Sequence, residues 1–285
     1  MSKKKKDPTP LVLKVVRTLF PITEKVLPVV AYRYFIKLFF TPLHYATPEK
    51  EQEIAAKGEL FTLKAAGKNI RAYRWGEGPI VVFVHGWAGR GTQFRKFIER
   101  FTLKGFQCIA FDGPAHGQSK GKTTNLNEFK ETLTALFQSL PERPTAVITH
   151  SFGGVAALYS IMEGLPVTRL VNIASPTIGD EIINTFLRAV NGSVKTGAYF
   201  KKYILQKQGK PFDEFSSLYF IKHLPHPITL LLVHDEDDKE VKLIHTEELV
   251  KVYPAAYVHK TRGLGHNRIL KDDEVIETCL KFVAS

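Results

Sequence analysis

From residue 59 onward the apolar positions fall into two patterns that alternate along the chain. Residues 80–84 read Ile-Val-Val-Phe-Val, a continuous and largely β-branched apolar run. That is the pattern of a strand buried on both faces. Residues 106–111, 145–149, 169–174 and 228–233 are read as further strands, and 256–259 as a short one. Helical stretches are predicted at 92–103, 126–140, 152–162, 240–252 and 267–283. Residues 59–64 and 69–75 predict two strands joined by a turn at Gly67-Lys68. Strands that alternate with helices imply an α/β fold: a mostly parallel central sheet with helices on both faces. In such sheets chemistry gathers at the carboxyl ends of the strands.

Two stretches depart from the alternation. Residues 175–227 are rich in Phe, Tyr, Leu and Lys, without intervening strands, and are read as a helical cap insertion. Residues 1–58 form a basic, amphipathic helical extension, so that the α/β domain occupies 59–285. In the extension Val12, Val15, Val16 and Leu19 follow helical spacing, as do Val29, Tyr32, Ile36 and Phe40 farther on. Lys14, Arg17, Glu24, Lys25, Arg33 and Lys37 interrupt the apolar residues, and Pro21 and Pro28 are expected to kink or break a helix. No uncharged run approaches the ~18 residues that a membrane span needs, and no cleavable leader pattern is present. Two readings of this segment stand side by side: helices packed on the body or over its mouth, and a peripheral membrane contact through residues 1–45.

Composition changes the picture in two places. The chain carries +12 overall, of which residues 1–50 hold +7, from ten Lys/Arg against three Asp/Glu. The charge excess is therefore an N-terminal feature, and with no reading motif beside it, nucleic-acid binding is not expected. Cys108 and Cys279 lie in apolar contexts and are read as small buried hydrophobes, which fits a reducing, cytoplasmic setting with or without membrane association.

Candidate chemistry sits at the strand ends. Thr149-His150-Ser151-Phe152-Gly153-Gly154 lies between a buried strand and a helix. A serine on such a turn is lifted clear of the sheet, and the helix N-terminus offers N–H groups to an oxyanion. His85-Gly86-Trp87 follows the strand at Ile80–Val84, and Asp112-Gly113-Pro114-Ala115-His116-Gly117-Gln118-Ser119 follows the next. His234 to Val241 follows the strand at 228–233 and holds four acidic residues among the first five after its histidine. Gly263-Leu264-Gly265-His266 precedes the last helix. Together, in this order, these segments resemble the α/β-hydrolase superfamily: the nucleophile elbow G-x-S-x-G, the H-G-x turn, the D-x-P-G-H-G-x-S segment, the acid loop H-G-x-x-D-x-x-V and the histidine loop. The likeness spans residues 59–285 apart from the cap. Thr149 stands where the elbow has its first glycine and is expected to crowd the turn; Ala115 and Asp235 also replace family glycines.

The resemblance implies a serine hydrolase of carboxylesterase or lipase type. Ser151 would be the nucleophile, His266 the base, Asp238 the acid that orients the base, and the Trp87 and Phe152 amides the oxyanion hole. Asp235 and Asp237 are rivals for the acid. The substrate would be a small-molecule acyl compound, a carboxylic ester by default. The same scaffold also carries thioesterases, peptidases, acyltransferases and C–C hydrolases. A non-catalytic binding protein is the alternative of another class. No metal or organic cofactor is required, and His223 with His226 lacks a third ligand for zinc. The aromatic residues Phe186, Tyr199, Phe200, Tyr203, Phe212 and Phe215 either line an apolar pocket or form the cap's own core. Neither the oligomeric state nor the substrate follows from the sequence.

Overall fold

The computed structural model describes residues 11–285. The basic run at residues 3–6 and the side chain of Val12 lie outside what it describes. Three helices come first: α1 (Leu11–Val26), α2 (Pro28–Phe39) and α3 (Glu49–Lys57). The strands β1 (Glu59–Ala65), β2 (Lys68–Trp75) and β3 (Ile80–Val84) follow, then α4 (Arg95–Leu103), β4 (Gln107–Phe111), α5 (Leu126–Ser139), β5 (Ala146–His150), α6 (Phe152–Met162) and β6 (Arg169–Ile173). Next come α7 (Gly179–Val190), α8 (Val194–Gln208), α9 (Ser217–Lys222), β7 (Thr229–Asp235), α10 (Ile244–Val252), β8 (Tyr257–Thr261), α11 (Gly265–Arg268) and α12 (Asp273–Ala284).

The eight strands form one sheet in the order β1-β2-β4-β3-β5-β6-β7-β8. β2 pairs antiparallel with both β1 and β4, and every other neighbour is parallel. The central strand β3 shows why the sheet is covered on both sides. Its residues are all buried, yet Ile80, Val82 and Val84 belong to one apolar cluster, and Val81 and Phe83 to another. Alternate side chains of a strand point to opposite faces, so each face needs its own helical layer. Phe129, Leu133 and Leu136 of α5 meet the first set, and Phe97, Ile98 and Phe101 of α4 the second. Phe83 meets Phe94 in a tilted pair and Phe101 edge-to-face, at centroid distances of 5.2 and 5.8 Å, and each such fully buried ring stabilises the fold by about 1.5–3 kcal/mol. Cys108 and Cys279 are free and buried in the second cluster, where loss of solvation pushes both thiols up.

The chain divides into two compact units, one of Met1–Phe39 with Asp180–Phe212, the other of Phe40–Gly179 with Asp213–Ser285. The larger unit holds the sheet and also α3, which the predicted boundary at residue 58 assigned to the N-terminal extension. It also takes residues 213–227 of the predicted insertion: α9 lies on α6, with Phe220 5.0 Å from Tyr159.

The smaller unit joins two segments far apart in sequence. Phe39 meets Phe186 and Phe200 at 4.4 and 4.3 Å, Tyr32 stacks on Tyr199 at 4.7 Å, and Phe200 meets Phe212 at 5.5 Å. These aromatic residues of the insertion thus form the core of their own helical unit together with α2. Glu24 of α1 binds the start of α8, accepting from the Ser193 amide at 3.1 Å and from the Ser193 and Thr196 hydroxyls. Burial opposes its ionisation, but those hydrogen bonds outweigh it and hold the carboxyl below its ordinary range.

Several local expectations are corrected. Pro21 lies inside α1, which runs through it, whereas Pro28 opens α2 at the first helical position, where its missing N–H costs nothing. The buried face of α2 is Ala31 and Phe35, not the stripe containing Val29, which is exposed. The helix predicted at 267–283 is broken at Asp272, whose carboxylate caps α12 through the Val275 amide at 3.0 Å.

Candidate active site

Ser151 stands between β5 and α6 with φ 51° and ψ −123°. A non-glycine residue at such a φ carries strain that its surroundings must hold. Here Ser151 donates its amide to the Ile173 carbonyl at 2.9 Å, and the chain turns at once into α6. Gly153 and Gly154 make the turn fit: a Cβ at 153 would overlap the Val84 carbonyl oxygen, and one at 154 the Asn172 side chain. Thr149, the departure at the first motif position, does not crowd the turn. Its hydroxyl points to β6 and lies 3.0 Å from both the Val171 carbonyl and Asn172 Oδ1. The threonine is a buried tie between neighbouring strands.

The loop after β3 comes up against this turn. A Cβ on Gly86 would lie 2.8 Å from the Ser151 Cβ and 3.1 Å from the His150 carbonyl oxygen, so only glycine lets the two chains approach. Two buried histidines hold the loop reciprocally. His85 accepts from the Gly113 amide at 2.7 Å through Nε2, and its Nδ1 donates to the Gly86 carbonyl at 2.7 Å. His116, from the loop after β4, accepts from the Ala88 amide at 3.0 Å through Nε2 and donates from Nδ1 to the Pro114 carbonyl. Each accepting nitrogen must be unprotonated. Burial is the main cause that keeps both rings neutral, pushing His85 down to about 4 and His116 to about 3. Asp112 completes the clamp by accepting from the Gly91 and Gln118 amides at 2.9 and 2.8 Å. Ala115, which replaces a family glycine, sits at φ 59° and retains the left-handed conformation of that position. Trp87 lies in the clamped loop, its ring 5.4 Å from Phe152 and 5.3 Å from His116. Phe152 is the first residue of α6, where helical amides lack partners within the helix.

The third loop follows β7. Asp238 is buried, and its Oδ2 lies 2.7 Å from His266 Nδ1. Its Oδ1 accepts from the Glu240 and Val241 amides at 2.8 and 2.9 Å. Burial alone would raise this carboxyl, but the His266 bond and the two amides prevail and hold it below its ordinary range. Asp238 is therefore a carboxylate that fixes Nδ1 of His266 as the protonated nitrogen and leaves Nε2 as the basic one. The two rival acids do different work. Asp235 accepts from the Leu264 and Gly265 amides and the Thr261 hydroxyl, and so shapes the histidine loop from below. Asp237 accepts from the Gly263 amide at 3.1 Å. His266 itself lies in the four-residue helix α11 rather than in an open loop.

Sequence reasoning passed over one residue that joins the two halves. His150 is buried directly before Ser151, and its Nε2–H donates to the His266 carbonyl at 2.8 Å. Burial is again the leading cause that keeps it neutral, with its pKa pushed down to about 3. Its place next to the serine was the available signal, but nothing in the sequence pointed to a contact 116 residues away. No hydrogen bond joins Ser151 Oγ to His266 among the described residues; such bonds commonly tighten only when substrate is present. His223 and His226 lie apart from these groups: His223 stacks on Tyr219 at 4.1 Å, and half-buried His226 donates from Nδ1 to the Pro227 carbonyl at 3.2 Å.

A half-buried serine on a strained turn, a histidine oriented by a buried carboxylate and a clamped glycine loop lie at the carboxyl ends of β3, β5, β7 and β8. Residues 81–278 match the model of the alpha/beta hydrolase family, and the chain belongs to that family. Among curated proteins, it is 37% identical over 100 residues to the magnesium-chelatase 30 kDa subunit of Rhodobacter capsulatus, covering 34% of either chain. It is 27% identical over 232 residues to human protein ABHD12B, covering 72% of this chain and 60% of that one. The chain thus spans about a third of the length of the first of these relatives and less than two thirds of the second. Among solved structures, an esterase of Pyrococcus furiosus superposes with a TM-score of 0.63 at 19% identity, covering 86% of this chain and 96% of that one. A thioesterase domain from the curacin biosynthetic pathway gives 0.60 at 18%, covering 80% and 99%. At such identities the structures share the fold.

Proposed function

We propose that the protein is a serine hydrolase that cleaves a carboxylic ester, with Ser151 as nucleophile, His266 as general base and Asp238 as the group that orients it. The observation that carries this reading is the 2.7 Å contact between His266 Nδ1 and the buried Asp238 carboxylate, on the loops that flank a strained Ser151. Ser151 Oγ attacks the ester carbonyl and passes its proton to His266 Nε2. Asp238 stabilises the imidazolium that results. The oxyanion is held by the Trp87 and Phe152 amides. The imidazolium then protonates the departing alcohol, leaving an acyl-serine. Water, deprotonated by His266, cleaves the acyl-serine and restores the enzyme.

The test is a fluorophosphonate probe on the purified protein, with the labelled peptide mapped and Ser151→Ala as control. Labelling at Ser151 that the variant loses is the expected result, and a well-folded protein that stays unlabelled overturns the assignment. The acyl class is read next from a panel of esters and thioesters, because the structural neighbours include proteins named as an esterase and as a thioesterase domain. Hydrolysis of thioesters in preference to matched esters would replace the ester reading.

A further inference from the structure

The smaller unit has an apolar surface that nothing in the described residues covers. Val15, Leu19, Ile22 and Val26 follow one another at spacings of four, three and four along α1, so they line one face. Their exposure runs from 49% at Val15 to 69% at Val26. The row continues through Leu27, Val29 and Val30 into α2, all at least half exposed. The opposite face of α1 is closed: Phe20 is buried, Arg17 bonds Asn191 at 3.1 Å, and Glu24 binds the start of α8. The exposed aliphatic row is therefore not a core face left open by a missing turn of the chain, because α1 already has its core face.

Charge distinguishes the occupants. The unit of Met1–Phe39 and Asp180–Phe212 contains fifteen Lys/Arg and four Asp/Glu, a net +11 out of +12 for the whole chain. The sheet-bearing unit is left with twenty-five against twenty-four. On α1 and α2 themselves Lys14, Lys25, Arg33 and Lys37 are exposed, and Glu24 is the single acid, turned to the closed face. A second copy would set one basic surface against another across the apolar row. A nucleic-acid backbone would accept the charge and leave the aliphatic row in water. An anionic bilayer surface takes both, since its headgroups meet the lysines and arginines while its acyl boundary receives the aliphatic row. No described helix is long and apolar enough to cross a membrane, so the contact is interfacial.

We propose that α1 and α2 dock the protein onto membrane surfaces rich in anionic phospholipid, through the row from Val15 to Val30 and its basic surround. The proposal stands whether or not Ser151 is a nucleophile.

The test is vesicle flotation of the full chain with phosphatidylcholine alone and with phosphatidylcholine and phosphatidylserine. Flotation with the anionic vesicles, weakened by salt and weak on neutral ones, is the expected result. The combined variant Leu19→Gln, Ile22→Gln and Val26→Gln is expected to lose at least about tenfold in partitioning, as an interfacial contact made by apolar burial requires, with unchanged circular dichroism. Lys25→Gln with Arg33→Gln is expected to lose about fivefold per charge, which tests the charge separately on an intact apolar row. Failure of the full chain to float with anionic vesicles overturns the proposal, as does flotation of the apolar variant at the original level. Sedimentation that shows a dimer for the full chain and a monomer for the apolar variant, with no flotation by either, assigns the row to a subunit contact instead.

Discussion

The two units treat polar and apolar groups in opposite ways. In the sheet-bearing unit His85, His116, His150, Asp112, Asp235 and Asp238 are almost wholly out of solvent, and each is held by backbone amides or carbonyls. In the helical unit a row of aliphatic side chains remains in solvent beside a dense positive charge. Burying a polar group without a partner costs several kcal/mol, so the first arrangement persists only when nearly every bond is made. Exposing a Leu or Ile forgoes about 1.5–3 kcal/mol of burial, so the second leaves stabilisation unused within the unit. The site fixes its geometry at the cost of buried polarity, whereas the helical unit leaves apolar surface uncovered.

The largest effects are expected at the buried polar site. Asp238→Asn is expected to lower kcat by about 10⁴, since a neutral amide no longer selects the histidine tautomer. Asp235→Asn is expected to spare most of kcat and to cost about 1–3 kcal/mol in urea unfolding, because its oxygens serve the backbone of the histidine loop. Steady-state kinetics on both variants decide between them, and a larger kcat loss in Asp235→Asn would reverse the assignment of the acid. Gly154→Ala comes next. Its Cβ would overlap Asn172 and crowd Ser175, so a loss of about 1–3 kcal/mol in unfolding free energy is expected, and an unchanged midpoint would show that the turn yields.

Acid sharpens the same contrast. The folded pKa values of His85 and His116 lie below the ordinary 6.5, so the native state binds fewer protons than the unfolded chain. Their contribution is intact above pH 6.5 and is lost as pH falls through the window from 6.5 to about 4 for His85 and about 3 for His116. At pH 5 this amounts to on the order of 2 kcal/mol for each ring. His116→Gln keeps an acceptor for the Ala88 amide and removes one titrating group, so urea melts at pH 7 and pH 5 are expected to differ less in that variant than in the wild type. The smallest effect falls in the other unit. Exposed positions such as Ile22 carry little folding free energy, and Ile22→Gln is expected to shift stability by no more than about 0.5 kcal/mol. A larger loss by thermal melting would mean that the row is packed against something after all.

Much of the sheet-bearing unit was legible because its signals are local. A strand buried on both faces must be apolar at every position, as Ile80–Val84 is, and a strand-to-helix turn that needs close backbone approach announces itself in Gly153 and Gly154. Register against the acid-loop motif picked Asp238 from a cluster of four acids, and the structure pairs that residue with His266. What Asp235 does was not legible, since register against the motif assigns it no partner. Only the folded positions of the Leu264 and Gly265 amides show that its oxygens serve the histidine loop. Thr149 was read as crowding a turn because the partners of its hydroxyl, the Val171 carbonyl and the Asn172 side chain, lie on the neighbouring strand.

The sequence by itself determined the alternation of strands and helices, the place of the serine turn and the order of the three loops, because hydrophobic period and turn chemistry act over a few residues. The tertiary structure alone decided that residues 180–212 join the N-terminal helices. The physical reason is long-range packing: Phe39 can bury its ring on Phe186 and Phe200 only when segments some 150 residues apart in sequence are brought together. That same packing joins the basic residues of 180–212 to the N-terminal charge excess in a single unit of +11.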